Sequence, residues 1–121
     1  MMTESEHDIQ SKIQIALSTS SCTVFRINVG KWYTIDKRWV TTGVPNGYFD
    51  LSGFRWSDGK AFFIEVKRPG GRIRPDQISF HKMLTRHHII HGIARSTDDA
   101  LKIVKNKLVG FGFPDYKGEH E

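Results

Sequence analysis

Residues 48–67 read YFDLSGFRWSDGKAFFIEVK, and this stretch predicts two adjacent antiparallel strands. Aromatic residues recur in its first half, 48–56, and aromatic and β-branched residues in its second half, 60–67, as is typical of strands. Between them, the Asp58-Gly59 pair favours the tight turn of a β-hairpin. We therefore expect a hairpin to form the centre of the fold.

The chain before this hairpin predicts a helix, a strand and a second hairpin. An apolar stripe at helical spacing marks the helix: Ile9, Ile13, Ala16 and Leu17. Period-two alternation over 22–29 predicts a strand with Phe25, Ile27 and Val29 on one side. Residues 30–46 are aromatic and polar, end in turn residues, and favour a hairpin-like excursion that carries Trp32, Tyr33 and Trp39.

The chain after the hairpin predicts a helix, a strand and a last helix. Pro75 suits the first turn of a helix that ends near His87 and buries Ile78, Phe80, Met83 and Leu84. Residues 89–94 read as a strand, and Thr97 as the N-cap of the last helix. The order helix, three strands, helix, strand, helix predicts an α/β fold with a mixed central sheet flanked by helices. We expect one domain over 1–109 and a loose tail over 110–121, which shows no periodicity.

Charge and composition limit the classes of function. The 121 residues carry a net charge of +5, and segment 60–95 alone carries +6, from eight basic residues against two acidic ones. A local basic excess is typical of a phosphate-facing surface, although a solvated basic face has the same composition. The single Cys22 excludes an internal disulfide and zinc fingers built on two or more cysteines. No apolar stretch is long enough to span a membrane and the first residues show no export signal, so we expect a cytoplasmic protein.

Two acidic residues and a lysine are the first candidates for chemistry. Glu65 and Lys67 lie on one face at the end of a predicted strand, and Asp50 interrupts an apolar run on the neighbouring strand. If Asp50 and Glu65 converge, their repulsion is best relieved by a cation, and Mg²⁺ takes such oxygen ligands. The alternatives are a plain ion pair between Glu65 and Lys67, and a strand-edge Asp50 capped by nearby amides.

Two further candidates lie on the predicted helices. Glu6 lies on or beside the buried stripe of the first helix, but it also fits a capping box with Thr3. Gln77 lies in the first turn of the helix after the Gly70-Gly71 loop, where an amide can orient a water or a phosphate. Its alternative is an exposed helix residue.

In this order the motifs resemble a known family. Asp50 followed by Glu65-Val66-Lys67 is similar to the D…ExK core of the PD-(D/E)XK nucleases. More narrowly, the VRR-NUC domain is resembled by GVPNGYFDL at 43–51, IEVKRPGGR at 64–72, Gln77 with Phe80, and IARS at 93–96. Two positions depart from the pattern: Phe49 stands where the superfamily name has proline, and Asn46 where many relatives have an acid.

The resemblance implies a restriction-endonuclease-like fold and metal-dependent cleavage of DNA. It implies that Asp50, Glu65 and the backbone carbonyl of Val66 bind Mg²⁺, for which Mn²⁺ substitutes, and that Glu6 assists through a second metal or a metal-bound water. Lys67 would stabilise the attacking hydroxide or the phosphate, and Gln77 would position the water. Arg68, Arg72 and Arg74 would contact the DNA backbone. Small standalone members are typically phage proteins that act in the host cytoplasm as homodimers on branched DNA such as Holliday junctions.

Other interpretations remain open at this point. A non-catalytic nucleic-acid-binding module would keep the basic face and use the carboxylates structurally. The histidines His81, His87, His88 and His91 suggest a zinc or HNH site, but their spacing straddles a helix end and no cysteine pair accompanies them. We expect surface or interface imidazoles instead. Trp32, Tyr33 and Trp39 fit base stacking, a dimer contact or the core.

Overall fold

The structure, a computed structural model, describes residues 4–27, 31–33, 35–41 and 43–121, with side chains undescribed for 31–33 and 39–41. Among these residues, five strands follow the first helix, and helices and strands alternate only after the fifth strand. In order they are α1 (Glu6–Ser18), β1 (Cys22–Arg26), β2 (Lys31–Tyr33), β3 (Trp39–Thr41), β4 (Leu51–Arg55), β5 (Ala61–Val66), α2 (Pro75–Arg86), β6 (Ile90–Ala94), α3 (Thr97–Lys105) and β7 (Val109–Phe111).

The main sheet is mixed, as the sequence predicts. Its five strands follow the order β1-β4-β5-β6-β7. The pairs β1–β4 and β4–β5 are antiparallel, and the pairs β5–β6 and β6–β7 are parallel. The predicted hairpin is confirmed, because β4 pairs with β5 and Leu51 lies opposite Ile64. Strand β5 therefore lies at the middle of the sheet. The residues at its carboxyl end, Glu65 and Val66, are buried.

Helices cover both faces of this sheet. Apolar residues of α1 and α3 pack with Phe62, Ile64 and Val66 of β5 in the larger core cluster. The alternate residue Phe63 faces α2 and joins the second cluster, around Phe49 and Leu84. Because side chains alternate along a strand, Glu65 faces the α2 side with Phe63. The mixed sheet with helices on both faces is the α/β architecture that the sequence predicts.

Two helix starts differ from the sequence prediction by one or more residues. The N-cap of α1 is Ser5, whose hydroxyl accepts a hydrogen bond from the backbone N–H of Asp8 at 3.1 Å. Glu6 is therefore the first helical residue, and the predicted cap Thr3 lies outside the described residues. The N-cap of α3 is Ser96 and not Thr97, since its hydroxyl accepts from the backbone N–H of Asp99. A serine just before the predicted cap competes for the same role.

The second hairpin is confirmed and stands apart from the main sheet. Strands β2 and β3 pair antiparallel, with Lys31 opposite Thr41. The side chains of Trp32, Tyr33 and Trp39 lie outside the described residues, so their predicted stacking or dimer contacts remain predictions.

The segment after α3 has more structure than the sequence pattern suggests. Where a loose tail is predicted from Gly110, the structure has β7 beside β6, a buried Phe113 and a bridge from Leu108 to His120. A three-residue strand is too short to show periodicity, and its partner β6 lies on the other side of α3. No described helix has the length and hydropathy needed to cross a membrane.

Two histidines that were predicted at the surface or an interface are buried instead. His81 and His91 are 2% and 0% exposed. Nδ1 of His91 lies 2.7 Å from the carbonyl oxygen of Ile89, and Nε2 of His91 lies 2.7 Å from Nδ1 of His81. Nε2 of His81 contacts Oδ1 of Asp115 at 2.8 Å. Because each ring nitrogen has a partner, the core accepts both imidazoles without a metal. His87 and His88 are exposed, as expected.

The buried His91 makes the stability depend on pH. Burial lowers its pKa from 6.5 to about 4. The unfolded chain therefore takes up a proton on His91 below about pH 6.5, and the folded protein only near pH 4, so stability is lost as the pH falls across this interval. Urea unfolding at pH 7 and pH 4.5 measures the effect. The free energy of unfolding should fall more between these pH values in the wild type than in His91→Asn, by up to about 3 kcal/mol.

Two other titratable groups belong to the same series of hydrogen bonds: His81 contacts His91, and Asp115 contacts His81. Both remain in the variant. Exposed His87 supplies the control, because His87→Asn should keep the wild-type pH dependence. The same loss in wild type and His91→Asn would show that His91 is not the group responsible.

Candidate functional site

The central hairpin brings Asp50 and Glu65 together. The backbone N–H of Asp50 donates to Oε1 of Glu65 at 3.2 Å, and the backbone N–H of Val66 donates to Oδ2 of Asp50 at 3.0 Å. Each carboxylate is thus held by a backbone amide from the other strand's segment. These two hydrogen bonds fix both carboxylates relative to the sheet. Asp50 and Glu65 therefore lie together, as the sequence predicts.

Glu6 reaches the same place from α1. Among the described residues, Glu6, Asp50 and Glu65 form a group whose ligand atoms all lie within 4.8 Å of one another. Glu6 is exposed, Asp50 is half-buried and Glu65 is buried. With Ser5 as the helix cap, the carboxylate of Glu6 is available to this group. Three carboxylates at this spacing offer the hard oxygen ligands that Mg²⁺ or Mn²⁺ takes.

Lys67 and Gln77 both contact Glu65. Nζ of Lys67 lies 3.7 Å from Oε2 of Glu65, and both side chains are buried. Nε2 of Gln77 donates to the same oxygen at 2.8 Å, while its Oε1 accepts from the backbone N–H of Arg74 at 3.0 Å. Gln77 is therefore not an exposed helix residue. Both ends of its amide are engaged, one with the carboxylate and one with the start of α2.

The surroundings of Asp50 and Glu65 disfavour the charged forms of both carboxyl groups. Burial raises the pKa of Asp50. Burial, together with the charge of Asp50, raises the pKa of Glu65 to about 8. Lys67 opposes both shifts without cancelling them. Because two nearby carboxylates disfavour each other's ionisation, added positive charge at this place would stabilise the folded protein.

The carboxylates open into a cavity of about 300 Å³. Its lining combines acidic, basic and amide side chains: Glu6, Gln10, Arg26, Ile27, Tyr48, Asp50, Glu65, Arg74 and Gln77. Sequence reasoning did not assign a role to Gln10, Arg26 or Tyr48. The position of Gln10, one helical turn after Glu6, could have indicated it, whereas Arg26 has no such pattern and is brought in by the pairing of β1 with β4.

Gly47 sets the approach of the chain to Asp50. Its φ is +88°, and a Cβ at this position would lie 2.2 Å from the carbonyl oxygen of Asp76. Only glycine allows the turn before Tyr48 to pack this closely against the first turn of α2. The turn and α2 are therefore fixed together on one side of the carboxylate cluster.

The basic loop after β5 is held by Arg95, the residue that follows β6. Nη1 of Arg95 donates to the carbonyl oxygens of Arg68 and Gly71, at 2.8 and 3.0 Å. The side chains of Arg68, Arg72 and Arg74 are exposed. Arg74 also forms an ion pair with Asp76 at 3.2 Å. The backbone of the loop is therefore held in place while its guanidinium groups are exposed, and that of Arg74 also lines the cavity.

Comparisons with known proteins agree on one family. The family model of the VRR-NUC domain matches residues 6–98. A solved structure described as a VRR_NUC domain is similar to this chain with a TM-score of 0.62 at 17% identity, over 83% of this chain and 94% of that one. At that identity the structural likeness shows the fold alone. No curated protein sequence matches this chain.

Removal of the Asp50 charge should stabilise the protein in the absence of metal. Asp50→Asn keeps an acceptor for the Val66 N–H and ends the repulsion with Glu65. At a pH of about 8.5, with a chelator present, we expect the free energy of unfolding to rise by about 1–2 kcal/mol. Urea unfolding followed by circular dichroism measures it.

Glu119 supplies the control, because its side chain is exposed and lies far along the chain from the cluster. Glu119→Gln should change the unfolding free energy by no more than about 0.5 kcal/mol. A destabilised Asp50→Asn would show that the carboxylate pair is already satisfied without a cation.

Proposed function

Because the chain belongs to the VRR-NUC domain family of nucleases, we propose that it is a divalent-metal-dependent endonuclease that hydrolyses phosphodiester bonds of DNA. The observation that carries the proposal is the convergence of Glu6, Asp50 and Glu65 beside the buried Lys67. Binding to DNA alone would not favour three acids in a cavity that a phosphate must approach, since like charges repel.

The residues of the cluster fit a divalent cation. They are hard oxygen donors at a mutual spacing within 4.8 Å, and burial together with the charge of Asp50 raises the pKa of Glu65, which a bound cation would oppose. Asp50, Glu65 and the backbone carbonyl of Val66 would hold Mg²⁺ or Mn²⁺, with Glu6 as a further ligand. When bound, the cation supplies Lewis-acid polarisation of the phosphate and a lower pKa for the attacking water.

The neighbouring residues have separate tasks in this proposal. Lys67 places an ammonium beside Glu65, where it stabilises the negative charge that develops on the phosphate oxygens. Gln77 holds the Glu65 carboxylate in one orientation through its hydrogen bond and ties it to α2, a role that can accompany or replace the predicted orientation of a water. Arg68, Arg72 and Arg74 contact the DNA backbone and give affinity without sequence readout.

Branched DNA is the proposed substrate, and a homodimer the proposed active form. The shape and charge recognition expected of exposed arginines suits a structure-selective enzyme better than a sequence-specific one. Two symmetric cuts across a four-way junction need two active sites, which a two-fold dimer provides. Phe25 and Phe54 support a dimer, because they are exposed and lie on one face of the β1–β4 pair.

Cleavage and binding should separate in variants of the cluster. With Mg²⁺ or Mn²⁺, we expect the wild type to cleave labelled four-way junctions. Glu65→Gln and Lys67→Ala should lose at least about a hundredfold in single-turnover rate, since each removes a group from the reacting centre. Both should keep junction affinity within a few-fold, as measured by fluorescence anisotropy.

The opposite pattern is expected for the basic loop. Arg72→Ala with Arg74→Ala should weaken binding and reduce the slope of log affinity against log salt by about 1–2, because two phosphate contacts are lost. Metal-independent binding without cleavage of junction, duplex or single strand by the wild type would favour the non-catalytic binding module instead.

The dimer has its own test. Phe25→Lys with Phe54→Lys should convert a wild-type dimer at micromolar concentration into a monomer, because it places four charges in the contact. Sedimentation velocity measures the mass. Ile15→Lys is the matched control, since Ile15 is equally an exposed apolar residue but lies on α1. If the wild type is a monomer, the proposed dimer is wrong. If the double variant is still a dimer, Phe25 and Phe54 do not lie in the dimer contact.

A further inference from the structure

Gln10 is the one side chain in the cavity lining that is nearly buried and has no hydrogen-bond partner among the described residues. It is 9% exposed, lies on α1 one turn after Glu6, and lines the cavity with the three carboxylates. Within the described part of the chain, no fully enclosed side-chain polar atom lacks a partner. The amide of Gln10 therefore reaches the open space of the cavity.

The amide of Gln10 is directed at the cavity and is not used by the described part of the protein. A ligand that enters the cavity can therefore take its hydrogen bonds without breaking a contact inside the protein. The second amide of the cavity shows the contrast. Gln77 already uses its Nε2 for Glu65 and its Oε1 for the backbone of Arg74, so both ends of its amide are held by the protein.

We propose that Gln10 is a substrate-binding residue whose side-chain amide donates a hydrogen bond to a non-bridging oxygen of the scissile phosphodiester. This inference rests on the proposed function. An acid-lined cavity repels a phosphodiester. A neutral amide supplies hydrogen-bond donors there without forming an ion pair with the carboxylates. A lysine or arginine at position 10 would instead be drawn into an ion pair with Glu6 or Glu65.

The size and lining of the cavity agree with this ligand. At about 300 Å³ it admits a phosphodiester group and not a duplex. Two guanidinium groups, those of Arg26 and Arg74, line the same cavity and can hold phosphate oxygens that the amide does not reach. The amide then acts at the charge that develops on the phosphate during the reaction, where a placed donor has its largest effect.

The test compares Gln10→Met with Gln14→Met. Methionine keeps the length and the helix propensity of glutamine but has no donor. Gln14 lies one further turn along α1 and does not line the cavity. Three quantities are measured for each protein: the melting temperature without metal, the rise of that temperature on addition of Mn²⁺, and the single-turnover cleavage rate of a labelled four-way junction with enzyme in excess.

We expect Gln10→Met to melt at or above the wild-type temperature and to keep the full rise with Mn²⁺. We also expect it to cleave about ten- to a hundredfold more slowly than Gln14→Met, which should match the wild type. A lower melting temperature would show that the amide has a structural partner, and a lost response to Mn²⁺ would make it a metal ligand. Either result overturns the inference.

Failure of the inference and failure of the proposed function give different results. If the wild type cleaves and Gln10→Met cleaves within twofold of Gln14→Met, only the role of Gln10 is wrong. If the wild type cleaves no DNA with any divalent metal, the proposed nuclease function and the role of Gln10 both fail.

Discussion

Two carboxylates that repel each other are held side by side, one directly before β4 and one near the end of β5. Asp50 and Glu65 are fixed by reciprocal hydrogen bonds from the backbone of Asp50 and Val66. Burial and mutual repulsion oppose this arrangement, as the raised pKa of Glu65 shows. The rest of the domain maintains it: the hairpin sets the register, Gln77 and Lys67 contact Glu65, and Gly47 seats the turn before Asp50 against α2.

Charges around the cluster are arranged in two zones, which gives physical content to the basic composition of the chain. The acids lie in the cavity with Arg74 at its lining, and Arg68 and Arg72 of the loop after β5 lie outside it, on a backbone that Arg95 fixes. DNA would meet the cations first and the carboxylates last. A divalent cation on the carboxylates would reverse the sign of the inner zone, so the same cavity could then accept a phosphate.

Local patterns predicted much of this molecule, because its chemistry lies on short motifs. The Asp58-Gly59 turn and the flanking apolar runs predicted the hairpin, and the hairpin placed Asp50 next to Glu65. Contacts between distant segments were not predictable in the same way. Arg26 enters the cavity through strand pairing, β7 pairs with β6 across the intervening α3, and the hydrogen bonds of His81 and His91 depend on tertiary placement. Gln10 lay between these cases, since its spacing from Glu6 was visible but the lack of a partner was not.

Binding of a divalent cation to the metal-free protein tests the central claim most directly. Isothermal titration calorimetry of Mn²⁺ into the wild type near pH 8 should show saturable binding that is lost in Glu65→Gln, because that variant has lost both a ligand and the repulsion that the cation relieves. The account is contradicted if the wild type gives no saturable heat at millimolar Mn²⁺, or if Glu65→Gln binds as tightly as the wild type.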